Sequence, residues 1–423
     1  VEAGRARQLA RAPGLYTAPL GLLILTLSLA TYTASLSATL ENHLHDRQFY
    51  AVGAGASLVD TGDARGGGDV MRPNRPAGEA AGWRFLPVSE YRTVPGVEAA
   101  AYAATALGLP GIPPKTAECV RNKRAMRQAL AAKGIPGPAF RGVRTAEAAR
   151  EAVAAIGLPV IVKPSDGNAS KGVTRVDRVE DVDAAFDRAV ECARNGEALV
   201  EGYLEGEEYN VDGLVYDGRY TLGGITAKDR SAPPHRFDLG IHMPPLLDEA
   251  AQQVIADAAA EAFAAIGFGN GTTHAEVIVT TDGPRIVEMA GRPGGGRIPT
   301  DLIPLTYGVD FVRDSLRVAL GEAPEERRRH ARGAAVYWIT AAAGRVVRIE
   351  GMDEAQATPG VRDLVVSIRP GDRVDALIDC VTRDRIGFVL AAGEDATAAV
   401  HAATTARDRI RVVTEAEDDG TTR

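Results

Sequence analysis

The chain has 423 residues, enough for roughly two to four domains of ordinary size. Hydrophobic residues at 45% and charged residues at 25% exclude wholesale disorder and a many-pass membrane protein. A net charge of −8, with no basic stripe interleaved with aromatics, argues against nucleic acid as a partner. Cys119, Cys192 and Cys380 stand far apart without zinc spacing, which fits reduced thiols better than a disulfide frame.

At the N-terminus no charge occurs between Arg11 and Glu41, and "APLGLLILTLSLATYTASL" is long enough to cross a bilayer. A transmembrane helix is therefore expected over 15–40, its Thr and Ser residues being tolerated in such helices. Arg5, Arg7 and Arg11 before it, with Glu41 after it, would place the N-terminus inside. A buried helix of a soluble domain is the alternative. A signal peptide fits worse, because the run is long and no clean small-x-small site follows. "DTGDARGGGDVMRPNRPAGEAAG" then reads as loop, and "WRFLPVSEYRTVPGVEAA" as a strand and a short helix. "VGAGAS" lacks the third glycine and the alternating pattern of a dinucleotide site, so a plain loop is expected there.

From about residue 100 the text is regular. "AAYAATALGL" and "ECVRNKRAMRQALAAKGI" have helical apolar spacing, the second ending at Gly134 before Pro136. "TAEAAREAVAAIG" is a helix opened by Thr145, and "LPVIVKP" is a short apolar strand that stops at Lys163 and Pro164. A glycine- and serine-rich loop, "SDGNASKGVTRV", leads into a second strand. "VEDVDAAFDRAVECARNG" is a helix, and "ALVEGYLEGEEYNVDGLVYDGRY" reads as strand, turn, strand, turn. "KDRSAPPHRFDLGIHMPP" is a polar connection with no strong local structure. "DEAAQQVIADAAAEAFAAIG" is a long helix, and "THAEVIVTTDGPRIVEMA" a hairpin around Asp282 and Gly283. Near the end "PGDRVDALIDCVTRDRIGFVLAAGEDATAAVHAATTARDRIRV" suggests a small α/β unit, and no internal repeat is visible.

A lysine that ends a buried strand, followed by a flexible Gly/Ser loop, suits a polyphosphate; a plain surface turn is the competing reading of that loop. The loop fails the pattern G-x-x-x-x-G-K-[ST], so a P-loop is excluded. Glu276 and Glu288 alternate with apolar residues on the two strands of one expected hairpin. Paired across it, the carboxylates would face one pocket and repel unless a cation lies between them. Magnesium shared with phosphate oxygens is the usual answer; a solvated sheet face is the alternative. Arg292 follows in "GRPGGGR", where it would stabilise charge on a phosphoryl group or an oxyanion, and the glycines let substrate approach closely.

In this order, "NKRAMRQALAAKGIPGP", "LPVIVKPSDGNASKGV", "LVEGYLEGEEYNVDG", "THAEVIV" and "RIVEMAGRPGGGRIP" resemble the ATP-grasp superfamily of carboxylate–amine ligases over about 100–415. The "HAEV…VEMAGRPGGG" version is most similar to the L-amino-acid ligase branch, whose members make dipeptides or related amides. The resemblance implies an α/β (α+β) fold with two subdomains clasping ATP and a small C-terminal α/β unit. It implies ATP and Mg2+ (or Mn2+) as cofactors, with Lys123 and Lys163 on the phosphates and Gly167, Ser170 and Gly172 in the loop closing over them. Glu201 and the backbone at Tyr203 and Leu204 would hold adenine, and Glu208 the ribose hydroxyls. Glu276 and Glu288 would bind the metal, and Arg292 would stabilise the acyl phosphate and the tetrahedral intermediate. Many members carry Asn two residues after the second glutamate; Ala290 stands there, so one metal contact must come from elsewhere. The polar connection is expected to line the substrate pocket, with Lys228, Arg230, His235 or Arg236 near a carboxylate. The partners implied are a small-molecule carboxylate and amine, and a homodimer is allowed.

Residues 1–99, through "RAPGLYTAPLGLLILTLSLATYTASLSATLENHLHDRQFYAVGA" and the segment after it, resemble a fragment of FtsX-type permease subunits of bacterial ABC exporters. The expected division is 1–99, permease-like; 100–200, helical entry and lid; 201–325, catalytic subdomain; 326–415, C-terminal unit; and 416–423, tail. ATP-grasp ligases usually begin with a Rossmann-like domain, which 1–99 does not suggest, and the chain begins with valine. A fusion or truncation is therefore expected, with ligation weakened or lost if the replacement is real. The ligase part is expected in the cytoplasm, anchored to the membrane if 15–40 spans it. The alternatives are an ATP-grasp carboxylase, which "EMAGRPGGG" disfavours, and a membrane-tethered, catalytically silent nucleotide-binding protein.

Overall fold

The computed structural model describes residues 96–415, apart from Pro234 and 326–328. The span expected over 15–40, the permease-like segment and the tail lie outside the described residues. Among those described, no helix is long and apolar enough to cross a membrane.

Three helices come first: α1 (Gly96–Leu107), α2 (Pro114–Arg121) and α3 (Lys123–Ala132). The single helix expected over the last two is broken at Asn122, whose backbone is extended (φ −118°, ψ 111°). Its side chain caps α3 by accepting a hydrogen bond from Ala125 N, a role short amides fill well. Apolar spacing conceals this break because Cys119 and Val120 on one side, and Met126 and Leu130 on the other, join one core.

Next come β1 (Phe140–Val143), α4 (Ala146–Ile156), β2 (Val160–Pro164), β3 (Thr174–Val176), α5 (Val182–Cys192) and β4 (Ala198–Gly202). The four strands form one sheet in the order β1-β4-β2-β3. Thr145 caps α4 by accepting from Ala148 N, as its place in the sequence suggests. Val160, Val162 and Val200 pack with Ala149, Val153, Ala185 and Phe186 of α4 and α5. That shared apolar layer is why β2 reads as an unbroken hydrophobic run.

The rest comprises β5 (Glu207–Tyr216), β6 (Arg219–Arg230), β7 (Asp238–Met243), α6 (Glu249–Ala265), β8 (Gly271–Thr280), β9 (Gly283–Ala290), α7 (Ile303–Tyr307) and α8 (Phe311–Ala319). Then follow β10 (Gly333–Trp338), β11 (Gly344–Glu350), α9 (Met352–Gln356), β12 (Val361–Val366), β13 (Arg373–Val374), α10 (Cys380–Asp384), β14 (Gly387–Gly393), α11 (Ala396–Arg409) and β15 (Arg411–Glu415). The central sheet has eight strands in the order β12-β14-β10-β7-β6-β5-β8-β9, and β13-β11-β15 make a smaller one. Three strands from the expected C-terminal unit thus extend the central sheet. All described strand pairs in the central sheet are antiparallel, which makes the fold α+β.

The polar connection expected over 228–245 is instead about half strand: Lys228 and Arg230 end β6, and 238–243 form β7. Its side chains look too polar for a sheet because several of them face buried acids rather than an apolar core. On the α6 side of the sheet, Tyr209, Val211, Ala275 and Val277 pack with Ile255, Ala259 and Phe263. Strand alternation therefore sends Glu208, Asn210, Asp212, His274 and Glu276 to the opposite face.

Candidate active site

Two rows of side chains cross that opposite face. The strand register pairs Glu288 of β9 with Glu276 of β8, Glu276 with Asn210 of β5, and Asn210 with Thr226 of β6. One pleat further along, Ala290 pairs with His274, His274 with Asp212, and Asp212 with Gly224. Cross-strand partners stand about 5 Å apart on one face, so the first row is a continuous polar lane and the second sets His274 and Asp212 side by side between Ala290 and Gly224. The acid pair expected from the sequence is thus brought together.

Each acid is held by a different lysine. Lys228 Nζ lies 3.0 Å from Glu276 Oε1 and 2.8 Å from Glu208 Oε1. Lys123 Nζ lies 3.2 Å from Glu288 Oε2 and donates to Gly167 O at 2.6 Å. Burial pushes the Glu276 carboxyl up, but Lys228, with His274 and Arg230, outweighs it and holds the group well below the usual carboxylate range. Burial likewise opposes charge on Lys228, and Asp238 and Glu276 overcome it. Among the described residues no cluster of three or more His, Cys, Asp or Glu is placed to hold an ion. Two carboxylates in register do fit magnesium, which takes one or two protein carboxylates and completes its shell with water and substrate phosphates.

Lys123 is placed by the break at Asn122: it opens α3, and its N–H donates to Ser165 O at 2.7 Å, just beyond β2. Lys163, at the end of β2, has its Nζ 2.6 Å from Glu201 Oε2. Burial lowers the Lys163 pKa, and the Arg127 and Lys123 cations add to that against the pull of Glu201. A cation-rich recess of this kind favours a polyanion. The loop between β2 and β3 arches beside it, with Ala169 (φ 53°), Ser170 (φ 58°) and Gly172 (φ 69°) all in the left-handed region. Such backbone in non-glycine residues is uncommon and clusters at ligand sites.

Several expected roles meet side chains engaged elsewhere. Glu201 is only 3% exposed, and its carboxylate serves Lys163 and Arg127 instead of facing outward for adenine. Tyr203 N is used too, donating to Pro159 O at 3.1 Å, while the Tyr203 ring lies under the Arg175 guanidinium at 4.2 Å; Leu204 follows in the connection to β5. Glu208 is buried against Lys228 and Arg230 rather than free for ribose. Arg230 also donates to Arg236 O, and Arg236 itself has φ 49°. His235 is half-buried, its pKa lowered by burial and then by Arg188. The four candidates of that connection therefore divide, with Lys228 and Arg230 ion-paired to acids and His235 and Arg236 in the turn before β7.

Arg292 donates to Pro293 O at 2.8 Å and is half-buried in the glycine-rich turn after β9. That turn is fastened by residues the sequence analysis did not single out. Asp212 Oδ1 accepts from Gly294 N at 2.8 Å, and both Asp212 oxygens lie 3.2 Å from His274 Nδ1. Asp212 is fully buried. Arg127 was missed as well, although its position one turn after Lys123 puts it on the same helix face.

Comparison with known proteins identifies the domains that carry this site. Residues 156–301 match the ATP-grasp domain, and 337–415 match the L-amino acid ligase C-terminal domain 2. An uncharacterised protein of Sinorhizobium fredii (strain NBRC 101917 / NGR234) is 32% identical over 290 residues, covering 67% of this chain and 59% of that protein. Alanine–anticapsin ligase of Bacillus subtilis is 30% identical over 238 residues, 50% of this chain and 49% of that enzyme. The chain thus spans about half to three fifths of the length of these relatives. In fold it is similar to the crystal structure of L-amino acid ligase from Bacillus licheniformis, with TM-score 0.64 and 24% identity over 75% of this chain and 78% of that one. The FtsX-like reading of 1–99 finds no support in these similarities. On an ATP-grasp α+β fold, then, the chain carries an ATP-grasp domain at 156–301 and an L-amino acid ligase C-terminal domain at 337–415.

Proposed function

We propose that this protein is an ATP-dependent carboxylate–amine ligase that joins amino acids through an amide bond, releasing ADP and phosphate. The observation that carries the reading is a convergence: Lys123 ties the loop at Gly167 to Glu288, and Glu288 is the register partner of Glu276. Two phosphate-seeking lysines and two metal-seeking acids therefore meet beneath a glycine- and serine-rich loop. The similarity to alanine–anticapsin ligase points to amino acids as substrates.

In this reading Lys123 and Lys163 hold the nucleotide phosphates, and Gly167, Ser170 and Gly172 close over them. Glu276 and Glu288 hold magnesium, which when bound neutralises phosphate charge. The backbone after β4, at Leu204, borders the base. A substrate carboxylate takes the terminal phosphoryl group, and the resulting acyl phosphate is attacked by an amine that expels phosphate. Arg292, in the turn that follows Glu288, is assigned to stabilising the oxyanion, and catalysis is mostly positioning and charge neutralisation. Glu208, held by Lys228 and Arg230, is assigned to orienting those cations.

The test is ADP release with magnesium and a panel of amino acids, with hydroxylamine present as a trap. Amino-acid-dependent ADP release with hydroxamate formation is expected. ADP release that ignores every amino acid, with no hydroxamate, would refute the reading.

A further inference from the structure

Arg127 is 3% exposed and lies where three elements meet. It belongs to α3, the helix that Lys123 opens. Toward β4 it donates Nε to Glu201 Oε1 at 2.6 Å and Nη2 to Glu201 Oε2 at 3.3 Å. Toward β9 it donates to Ile286 O, and through Nη2 to Val287 O at 3.1 Å, immediately before Glu288. The guanidinium has five donors, enough to serve a carboxylate and two carbonyls together, so it is anchored on both sides.

Lys163 is held differently. Its ammonium pairs with Glu201 Oε2 at 2.6 Å, and among the described residues no second ion pair fixes it. A buried carboxylate that loses its partner is strongly destabilised, so Lys163 would be trapped on Glu201 if it were the sole counter-ion. Arg127 removes the trap. Glu201 keeps two charge-assisted bonds when Lys163 swings away, and Arg127 stays because the β9 carbonyls hold it. Burial raises the Glu201 pKa, yet Arg127 and then Lys163 bring it down to about 2, so the carboxylate is charged throughout the neutral range.

We propose that Arg127 is a positioning residue, the standing counter-ion of Glu201 that frees Lys163 to engage the phosphates of a bound nucleotide. The proposal rests on the ATP-binding reading above. It also ties the nucleotide side of the site to the metal side, since the same guanidinium braces the backbone leading into Glu288.

The experiment is MgADP titration by calorimetry on the full chain and on Arg127→Met, Glu201→Gln, their double variant and Arg127→Lys. Arg127→Met should weaken MgADP binding by at least about tenfold, the scale of one lost charge-assisted contact. Adding Glu201→Gln should recover most of that loss, because a neutral side chain no longer sequesters Lys163. Arg127→Lys gives up the bonds to the β9 carbonyls but keeps a cation beside Glu201, so if the counter-ion is what matters its affinity should stay within about threefold of the parent. If Arg127 serves only as a brace for β9, the double variant stays as weak as the single one and Arg127→Lys is weak too. That pattern, or unchanged affinity in Arg127→Met, overturns the proposal. Should Arg127→Met fail to fold, Arg127→Lys against the parent decides alone. A parent protein that fails to bind MgADP would instead refute the nucleotide reading itself.

Discussion

Glu276 and Glu288 are direct register partners across β8 and β9, yet each is neutralised by a lysine from another part of the chain, Lys228 and Lys123. Both carboxylates are compensated by those ammoniums, so under the proposed function a divalent ion bound here would take over from the lysines as their counter-ion. Glu276→Gln and Glu288→Gln should each cut kcat/KM by about a hundredfold, the usual scale for losing one electrostatic stabiliser. Chelation should abolish ADP release and added magnesium restore it. Steady-state assays across a magnesium series check this; full activity of either variant at low magnesium would sink the metal role.

Gly294 makes a second prediction. A Cβ added there would stand 2.6 Å from Asp212 Oδ1 and 2.7 Å from His274 Nδ1. Neither neighbour can yield easily, because Asp212 is fully buried and holds Gly294 N. Gly294→Ala should destabilise the protein by about 1–3 kcal/mol and displace the turn that carries Arg292. Thermal denaturation alongside ADP release tests this, and an unchanged Tm with full activity would contradict it.

The pH dependence follows from Glu201. Its carboxyl is held at about 2 in the folded protein, below the ordinary glutamate value of roughly 4.3. A depressed pKa contributes stability that is present above the unfolded value and lost as pH falls toward the folded one. Glu201 should therefore supply roughly 3 kcal/mol at neutral pH that disappears between about pH 4.5 and pH 2. Urea unfolding at stepped pH should show a steeper acid loss in the parent than in Glu201→Gln; parallel curves would argue that the carboxylate is not held as described.

Asn122 makes the fourth. Asn122→Ala removes the cap that Ala125 N donates to and should cost about 1 kcal/mol. Because Lys123 N is also fastened to Ser165 O, the loss should loosen the lysine that meets Gly167 and Glu288. A several-fold rise in the KM for ATP is expected, with kcat changed less. An Asn122→Asp variant, which keeps a cap, should leave the KM near that of the parent.

The element types were largely legible in the sequence from about residue 100, because a local signal wrote each one. Thr145 announces α4, the apolar run of β2 announces burial between helices and sheet, and Asp282 and Gly283 announce the β8–β9 hairpin. Alternation within that hairpin placed Glu276 and Glu288 on one face before any long-range contact was known. The break at Asn122 was hidden because both flanking helices bury the same stripe. The strand at 238–243 does alternate, through Leu239, Ile241 and Met243, but it is short and follows the charged end of β6, where Lys228 and Arg230 pair with Glu208, so the polar stretch before it concealed it.

The sequence by itself therefore determined the local elements, the acid pair, the lysine that ends β2 and the glycine-rich turn. Each depends on periodicity or on residue type within a few neighbouring positions. Only the tertiary structure decided which charge meets which. Glu201 turns inward to Lys163 and Arg127, Glu208 to Lys228 and Arg230, and Asp212 reaches across the fold to Gly294. Those partners are separated by 20 to 82 positions in the chain, and their pairing is enforced by burial: a charge withdrawn from water must find its opposite wherever the fold brings it.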